Sequence, residues 1–273
     1  MRVPISSRST RRSTARLSFA AVTTVLLTSG CNSREAYENT FGIGWPKPKT
    51  EQATTMYDTW LGSVAAAAVV GLLMYILIAW TVIRDRKKTE ELPPQIRYNL
   101  PIEVLYTVVP FVIIAVLFFY TAVSENKVNK LTKNPDVTIG VVGFQWNWQF
   151  NYMKEKVQTT GGLPKGATLV LPVNERIRFV ETSPDVIHSF WIPDFLFKRD
   201  VIPGRLNTFE IKPTTVGTYT GRCAELCGEK HDRMNFTVKV VTRAEYNSYI
   251  TGLQADPNAK PNKLGAALVT GDN

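Results

Sequence analysis

Two histidines and three cysteines are all that this chain of 273 residues contains, so any metal or redox site has few side chains to draw on. No CxxCH is present, which excludes a covalently attached c-type haem. The formal charge of +9 has no long basic run and no RNA-binding motif behind it, so nucleic acid is not an expected partner. Much of that charge is local: residues 1–31 hold Arg2, Arg8, Arg11, Arg12 and Arg16 with no acid, and without them the charge is +4. Internal repeats are also absent. A mean hydropathy of -0.07 is too polar for a many-span membrane protein and too apolar for a disordered chain. The average conceals two unlike parts.

The acid-free start reads as an export signal. Its arginines precede an apolar stretch from Leu17 to Leu27, then Thr28, Ser29 and Gly30 lead to Cys31. The segment Leu27 to Cys31 resembles a bacterial lipobox, which implies that Cys31 becomes the lipidated first residue of the mature chain. Residues 32–59 are polar, contain Pro46 and Pro48, and read as an extracytoplasmic linker. Two apolar runs without a charge follow, Trp60–Ile83 and Val104–Val123, with Glu103 immediately before the second and Pro110 inside it. Each is long enough to cross about 30 Å of hydrocarbon as a helix. Arg84, Arg86, Lys87, Lys88 and Arg97 lie between them, which puts that loop in the cytoplasm and both ends of the hairpin (60–124) outside. The expected location is a bacterial cell membrane, multi-pass, with the N-terminus and everything after Ser124 extracytoplasmic.

Beyond residue 136 the pattern changes to short β-rich runs separated by turn residues. Val137–Val142, Trp146–Tyr152, Thr168–Pro172, Arg176–Glu181, Thr208–Lys212, Gly217–Arg222 and Asn235–Val241 are strand candidates. Runs of this length and spacing predict an antiparallel sandwich or barrel over 125–254. Alternation along the second run predicts that Trp146 and Trp148 share one strand face. Arg243–Leu253 suits a short helix, and the Pro-, Gly- and Asn-rich residues 255–273 a mobile tail.

The chemistry concentrates in Cys223 to Met234 (CAELCGEKHDRM), which offers two thiols, the imidazole of His231 and a thioether. Soft sulfur with imidazole selects copper or zinc over hard cations, and a thioether favours copper. The CxxxC spacing fits a structural zinc knuckle poorly. A disulfide is the plain alternative for a thiol pair outside the cytoplasm. The remaining histidine, His188, is a fifth candidate donor.

Here the motif resembles the dinuclear CuA site of cytochrome c oxidase subunit 2. Asp185 to Trp191 (DVIHSFW) is similar to that family's upstream histidine segment and Phe197 to Asn207 (FKRDVIPGRLN) to its following loop. Gly143 to Trp148 (GFQWNW) resembles its aromatic stretch, and Glu103 to Pro110 (EVLYTVVP) the start of its second membrane helix. The resemblance implies a two-helix transmembrane hairpin followed by an all-β, cupredoxin-like Greek-key domain. It implies two copper ions bridged by Cys223 and Cys227 and completed by His188, His231, Met234 and the Glu225 carbonyl. Two pairings stay open: His188 with Met234 and His231 with the Glu225 carbonyl, or the reverse. It further implies a magnesium ion shared with the catalytic subunit through the Glu225 side chain, electron acceptance at Trp146, and a proton-path entrance at Glu103. Asp185 matches an acid of the family's cytochrome-docking face. Implied partners are the haem-bearing subunit 1, other oxidase subunits and a cytochrome c.

Two features depart from the family pattern. Phe144 stands where many relatives have histidine. Residues 125–273 hold 19 Lys and Arg against 15 Asp and Glu, whereas an acidic face usually steers a basic soluble cytochrome. A membrane-anchored cytochrome c within a cytochrome bc–oxidase assembly therefore competes with a soluble donor. Among rivals, a quinol oxidase subunit lacks the copper ligands, a nitrous oxide reductase needs a second domain, and a lipid-anchored copper carrier needs no hairpin. The lipobox makes a prediction of its own: intact-mass analysis should find a mature chain that begins at an acylated Cys31, and retention of residues 1–30 refutes it.

Overall fold

Residues 38, 40–92, 95–162 and 165–262 are described by the computed structural model. The expected leader and Cys31 lie outside the described residues, as does the end of the tail. Helix α1, Glu51–Arg84, starts well before the apolar run, inside the segment read as linker. Thr50 is the reason: its Oγ1 accepts from the Ala53 N–H at 2.9 Å, satisfying an amide the helix itself cannot. The added turns also bury a face made by Ala53, Tyr57 and Leu61. A search for charge-free runs passes over this amphipathic start. Helix α2, Leu100–Val128, likewise overruns its apolar core. Both helices are long and apolar enough to cross a membrane. Thr59 Oγ1 and Ser124 Oγ meet at 2.7 Å near the outer end of the hairpin. From Val69 along α1, and along most of α2, the apolar side chains are exposed. Such a surface suits lipid or neighbouring helices.

The β-domain is a sandwich of two five-stranded sheets. One sheet runs β3 (Val157–Thr160), β2 (Asn147–Tyr152), β1 (Val137–Phe144), β5 (Ile177–Thr182), β8 (Asn207–Ile211). The other runs β4 (Thr168–Pro172), β10 (Asn235–Val241), β9 (Gly217–Cys223), β6 (His188–Ile192), β7 (Phe197–Val201). All pairings are antiparallel except β1 with β5 and β4 with β10. This is the expected hairpin followed by a cupredoxin-like Greek-key domain. Three strands were not foreseen as such: β3 is short and polar, and β6 and β7 lie in segments that read as motif and loop. Inward positions hold Trp148, Phe150, Phe179, Phe190, Phe209 and Phe236, all at most 2% exposed. The Phe190 and Phe236 rings stack at 4.9 Å, and a Cβ on Gly221 would lie 2.0 Å from the Phe236 ring. That position admits no side chain.

The Trp146 expectation needs correction. β2 begins at Asn147, so Trp146 sits in the preceding turn, partly exposed, while Trp148 is wholly buried. The two indoles do not share a strand face, because the chain reverses between β1 and β2 just where the alternation was extrapolated. The tail also differs. Helix α3 spans Arg243–Ala255, and beyond it Ala259 is buried while Asn262 pairs with the buried amide of Gln149 at 2.9 Å. The described part of the tail is packed down because β2 and β3 present amide side chains that need partners.

Hairpin and sandwich are joined by hydrogen bonds rather than by a free linker. Glu51 N–H donates to the Lys212 carbonyl at 3.0 Å, Thr214 N–H to the Lys49 carbonyl at 2.8 Å, and Lys212 N–H to Gln52 Oε1 at 3.0 Å. After α2 the chain is pinned by Glu210. Its carboxylate, fully buried, accepts from Thr132 N–H at 3.1 Å and from Arg178 at 2.7 Å. Glu210→Ala would leave a guanidinium and an amide without their acceptor, at a cost of about 2–3 kcal/mol. A lowered unfolding midpoint of the extramembrane domain is expected, with Glu210→Gln in between; a wild-type midpoint in Glu210→Ala would count against the clamp.

Candidate metal centre

Strand β9 ends at Cys223, and the loop after it brings Cys227 back beside it. The two thiols are unbonded, with their sulfurs 3.8 Å apart, so the disulfide alternative is not what the chain forms here. A 3-10 turn, His231–Arg233, then places His231 Nδ1 3.6 Å from Cys227 Sγ, and Met234 Sδ lies 3.8 Å from the same sulfur. The Glu225 carbonyl turns inward and lies 3.3 Å from Cys223 Sγ, while its side chain is exposed. His188 opens β6, and β6 pairs with β9 through Phe190 with Cys223 and Trp191 with Arg222. That pairing brings His188 Nδ1 to 3.9 Å from Cys223 Sγ. All five side chains and the carbonyl expected from the sequence therefore converge on one pair of sulfurs.

The far sides of the ligands are held as well. His188 is fully buried, and its Nε2 meets Asp185 Oδ1 at 2.9 Å. Asp185, matched on sequence to a docking face, remains partly exposed while its Oδ1 holds His188. Burial raises its pKa, but hydrogen bonds from the Gln145 backbone, His188 and Val186 outweigh this and lower it, keeping the carboxylate anionic. An orienting carboxylate fixes which ring nitrogen faces the sulfurs. The edge of Trp148 rests on the His188 ring with centroids 6.2 Å apart, and its Nε1–H donates to the Met234 carbonyl at 3.3 Å. One core residue thus touches both ends of the donor set.

The thiols themselves show what the cluster is built to hold. Burial raises both. At Cys223 the His188 ring and nearby backbone groups outweigh burial and bring the pKa down to about 6. At Cys227 the charge of Cys223 adds to burial, and the pKa is pushed up to about 12. Two adjacent buried thiolates repel one another unless a cation lies between them. Two thiolates, two imidazoles, a thioether and a carbonyl make a soft donor set that fits copper. Magnesium, a hard cation that prefers oxygen, has no place among these sulfurs.

Trp146 lies against this cluster, its Nε1–H donating to the Cys227 carbonyl at 3.2 Å. Lys230 Nζ stands 5.6 Å from the centre of its ring. Glu103 is far off in sequence and fold, in the first turn of α2, where its Oε1 accepts from the Asn99 N–H at 3.0 Å. It thus serves as a helix cap. Sequence reasoning passed over Gln145, whose side chain donates to the Cys227 carbonyl at 2.8 Å; adjacency to Trp146 was the one available signal.

Comparison with known proteins bears on what the cluster serves. Residues 137–241 match the family described as cytochrome C oxidase subunit II, periplasmic domain. A probable cytochrome c oxidase subunit 2 of Streptomyces avermitilis is 42% identical, the match covering 91% of this chain and 90% of that one. Cytochrome c oxidase subunit 2 of Mycobacterium tuberculosis is 36% identical over 81% of this chain and 77% of its own. That of Corynebacterium glutamicum is 33% identical over 80% and 77%.

If the sulfurs hold a copper pair, Cys223→Ser should remove it, since a hydroxyl does not bridge as a thiolate does. Metal analysis and near-infrared absorption of the purified complex check this. Full copper content in Cys223→Ser would refute it.

Proposed function

The chain belongs to the cytochrome c oxidase subunit 2 family and is thus a subunit of a haem–copper terminal oxidase, and we propose that it is the subunit that receives electrons. In this reading it accepts them one at a time from a cytochrome c at a pair of coppers held by His188, Cys223, Cys227, His231, Met234 and the Glu225 carbonyl. They pass on to the haem-bearing subunit, where oxygen is reduced to water. The observation that carries the reading is the convergence of those six groups on two sulfurs 3.8 Å apart. A bound copper pair would supply one-electron storage in which the change of charge is shared over both metals and both sulfurs.

The protein's own contribution is rigidity and a way in. His188 opens β6 and Cys223 closes β9, while Cys227, His231 and Met234 lie on the segment held between β9 and β10, an arrangement suited to keeping the geometry alike before and after an electron arrives. Trp146 offers a partly exposed aromatic face to the donor, and its indole N–H reaches the carbonyl of a sulfur-bearing residue. The excess of basic over acidic residues beyond residue 125 argues for a donor that needs no acidic steering. A membrane-anchored cytochrome c within a cytochrome bc–oxidase assembly meets that condition.

Three further roles belong to this reading. The exposed Glu225 carboxylate would share a magnesium ion with the catalytic subunit. Glu103 would mark the cytoplasmic entrance of a proton path, in addition to capping α2. Cys31 would carry lipid on the outer face, and residues 1–30 would be removed as a signal peptide.

Trp146 supplies the test. Trp146→Gln should depress electron transfer from the physiological cytochrome by orders of magnitude, while copper content, melting temperature and reduction by a small artificial donor stay near normal. Were Trp146 a core residue, truncation would cost about 3–5 kcal/mol and take the copper with it. Rapid mixing with both donors separates the cases. Equal slowing with both, or a collapsed melting temperature, overturns the role.

A further inference from the structure

Gln145 is exposed and offers no ligand atom to the sulfurs, yet it ties together two segments that do. Its backbone N–H donates to Asp185 Oδ2 at 2.7 Å, and its side-chain Nε2 donates to the Cys227 carbonyl at 2.8 Å. Asp185, through its other oxygen, holds His188. A single residue therefore spans from the buried imidazole of one strand to the thiol-bearing loop of another. The Cys227 carbonyl receives a second donor, Trp146 Nε1–H at 3.2 Å. Gly228 makes this possible. At φ +121 it adopts backbone that side chains rarely take, and a Cβ there would lie 3.1 Å from the Trp146 ring and 3.2 Å from Gln145 Nε2. The carbonyl is boxed in by two donors that fit only because the next residue has no side chain.

We infer that Gln145 is a positioning residue for Cys227, and that its amide sets the reduction potential of the metal centre. The inference rests on the copper reading above. Two effects act together. The hydrogen bond fixes the peptide from which the Cys227 side chain springs, holding Sγ opposite Cys223. It also draws electron density from that residue's carbonyl, which favours the reduced centre. Groups that orient ligands without touching the metal alter metal sites by one to two orders of magnitude when removed. A surface glutamine with no such task would tolerate replacement almost without effect.

The test uses the intact oxidase. Gln145→Met keeps the length of the side chain and removes the donor. Copper content should stay at the wild-type level, and the near-infrared band should persist at a shifted position. The equilibrium for one-electron reduction should fall by up to about tenfold, a potential lowered by up to about 59 mV. Gln145→Lys returns a donor of similar reach and should restore the potential. A copper-replete Gln145→Met protein with wild-type band and potential overturns the inference, as does a lowered melting temperature with no change in potential. Should Gln145→Met fail to assemble, Gln145→Asn, whose amide falls one methylene short, gives the same readout, and a wild-type potential there is equally decisive. A wild-type oxidase without copper in this chain would instead overturn the copper reading, so the two failures are told apart.

Discussion

Strands β6 and β9 pair in register at two positions, Phe190 with Cys223 and Trp191 with Arg222, and the candidate metal centre depends on that short ladder. His188 and Cys223 are 35 residues apart in the chain. Nothing local draws them together. What does is the aromatic core beneath them, where Phe190 stacks on Phe236 and both lie against Trp148. The entropy of closing that loop is met by burial of large rings, and the ligands arrive at the same end of the sandwich as a consequence. The packing that holds the sandwich together is thus the same packing that brings the donors to one end of it.

This arrangement also explains the inequality of the two thiols. Cys223, at the end of a strand and beside a buried imidazole held by Asp185, is favoured as the thiolate. Cys227, in the loop, is disfavoured by its neighbour's charge. Two thiols this close resist losing both protons together, and a cation held between them would favour that loss.

The donor set was legible in the sequence because its spacing is short: four of the side-chain donors lie within Cys223 to Met234, and only His188 had to be brought from elsewhere. The hairpin was legible for the opposite reason, since long charge-free runs have few other uses. What escaped was whatever depends on a change of direction. Alternation carried Trp146 into a strand that starts one residue later. The same blindness hid β6 and β7, whose residues read as a motif and a loop. Polar helix starts and docked tails escaped as well, because Thr50 acts through its side-chain cap and Asn262 through hydrogen bonds to Gln149 and Gln158, none of which leaves a periodic trace. Gln145 belongs with these: its two bonds join segments far apart in sequence, so no local pattern marks it.

The bonds between residues 49–52 and residues 212–214 lead to a point about distance. A domain on a slack tether would ride at varying heights above the bilayer. Here α1 continues out of its apolar run and is fastened to the end of β8, so the sandwich stands on the helix as on a post. Electron tunnelling falls steeply with separation. Fixing the height of the two sulfurs over the membrane would, if they carry electrons as proposed, fix the distance to any acceptor embedded within it, and the span of that jump would be a property of the fold.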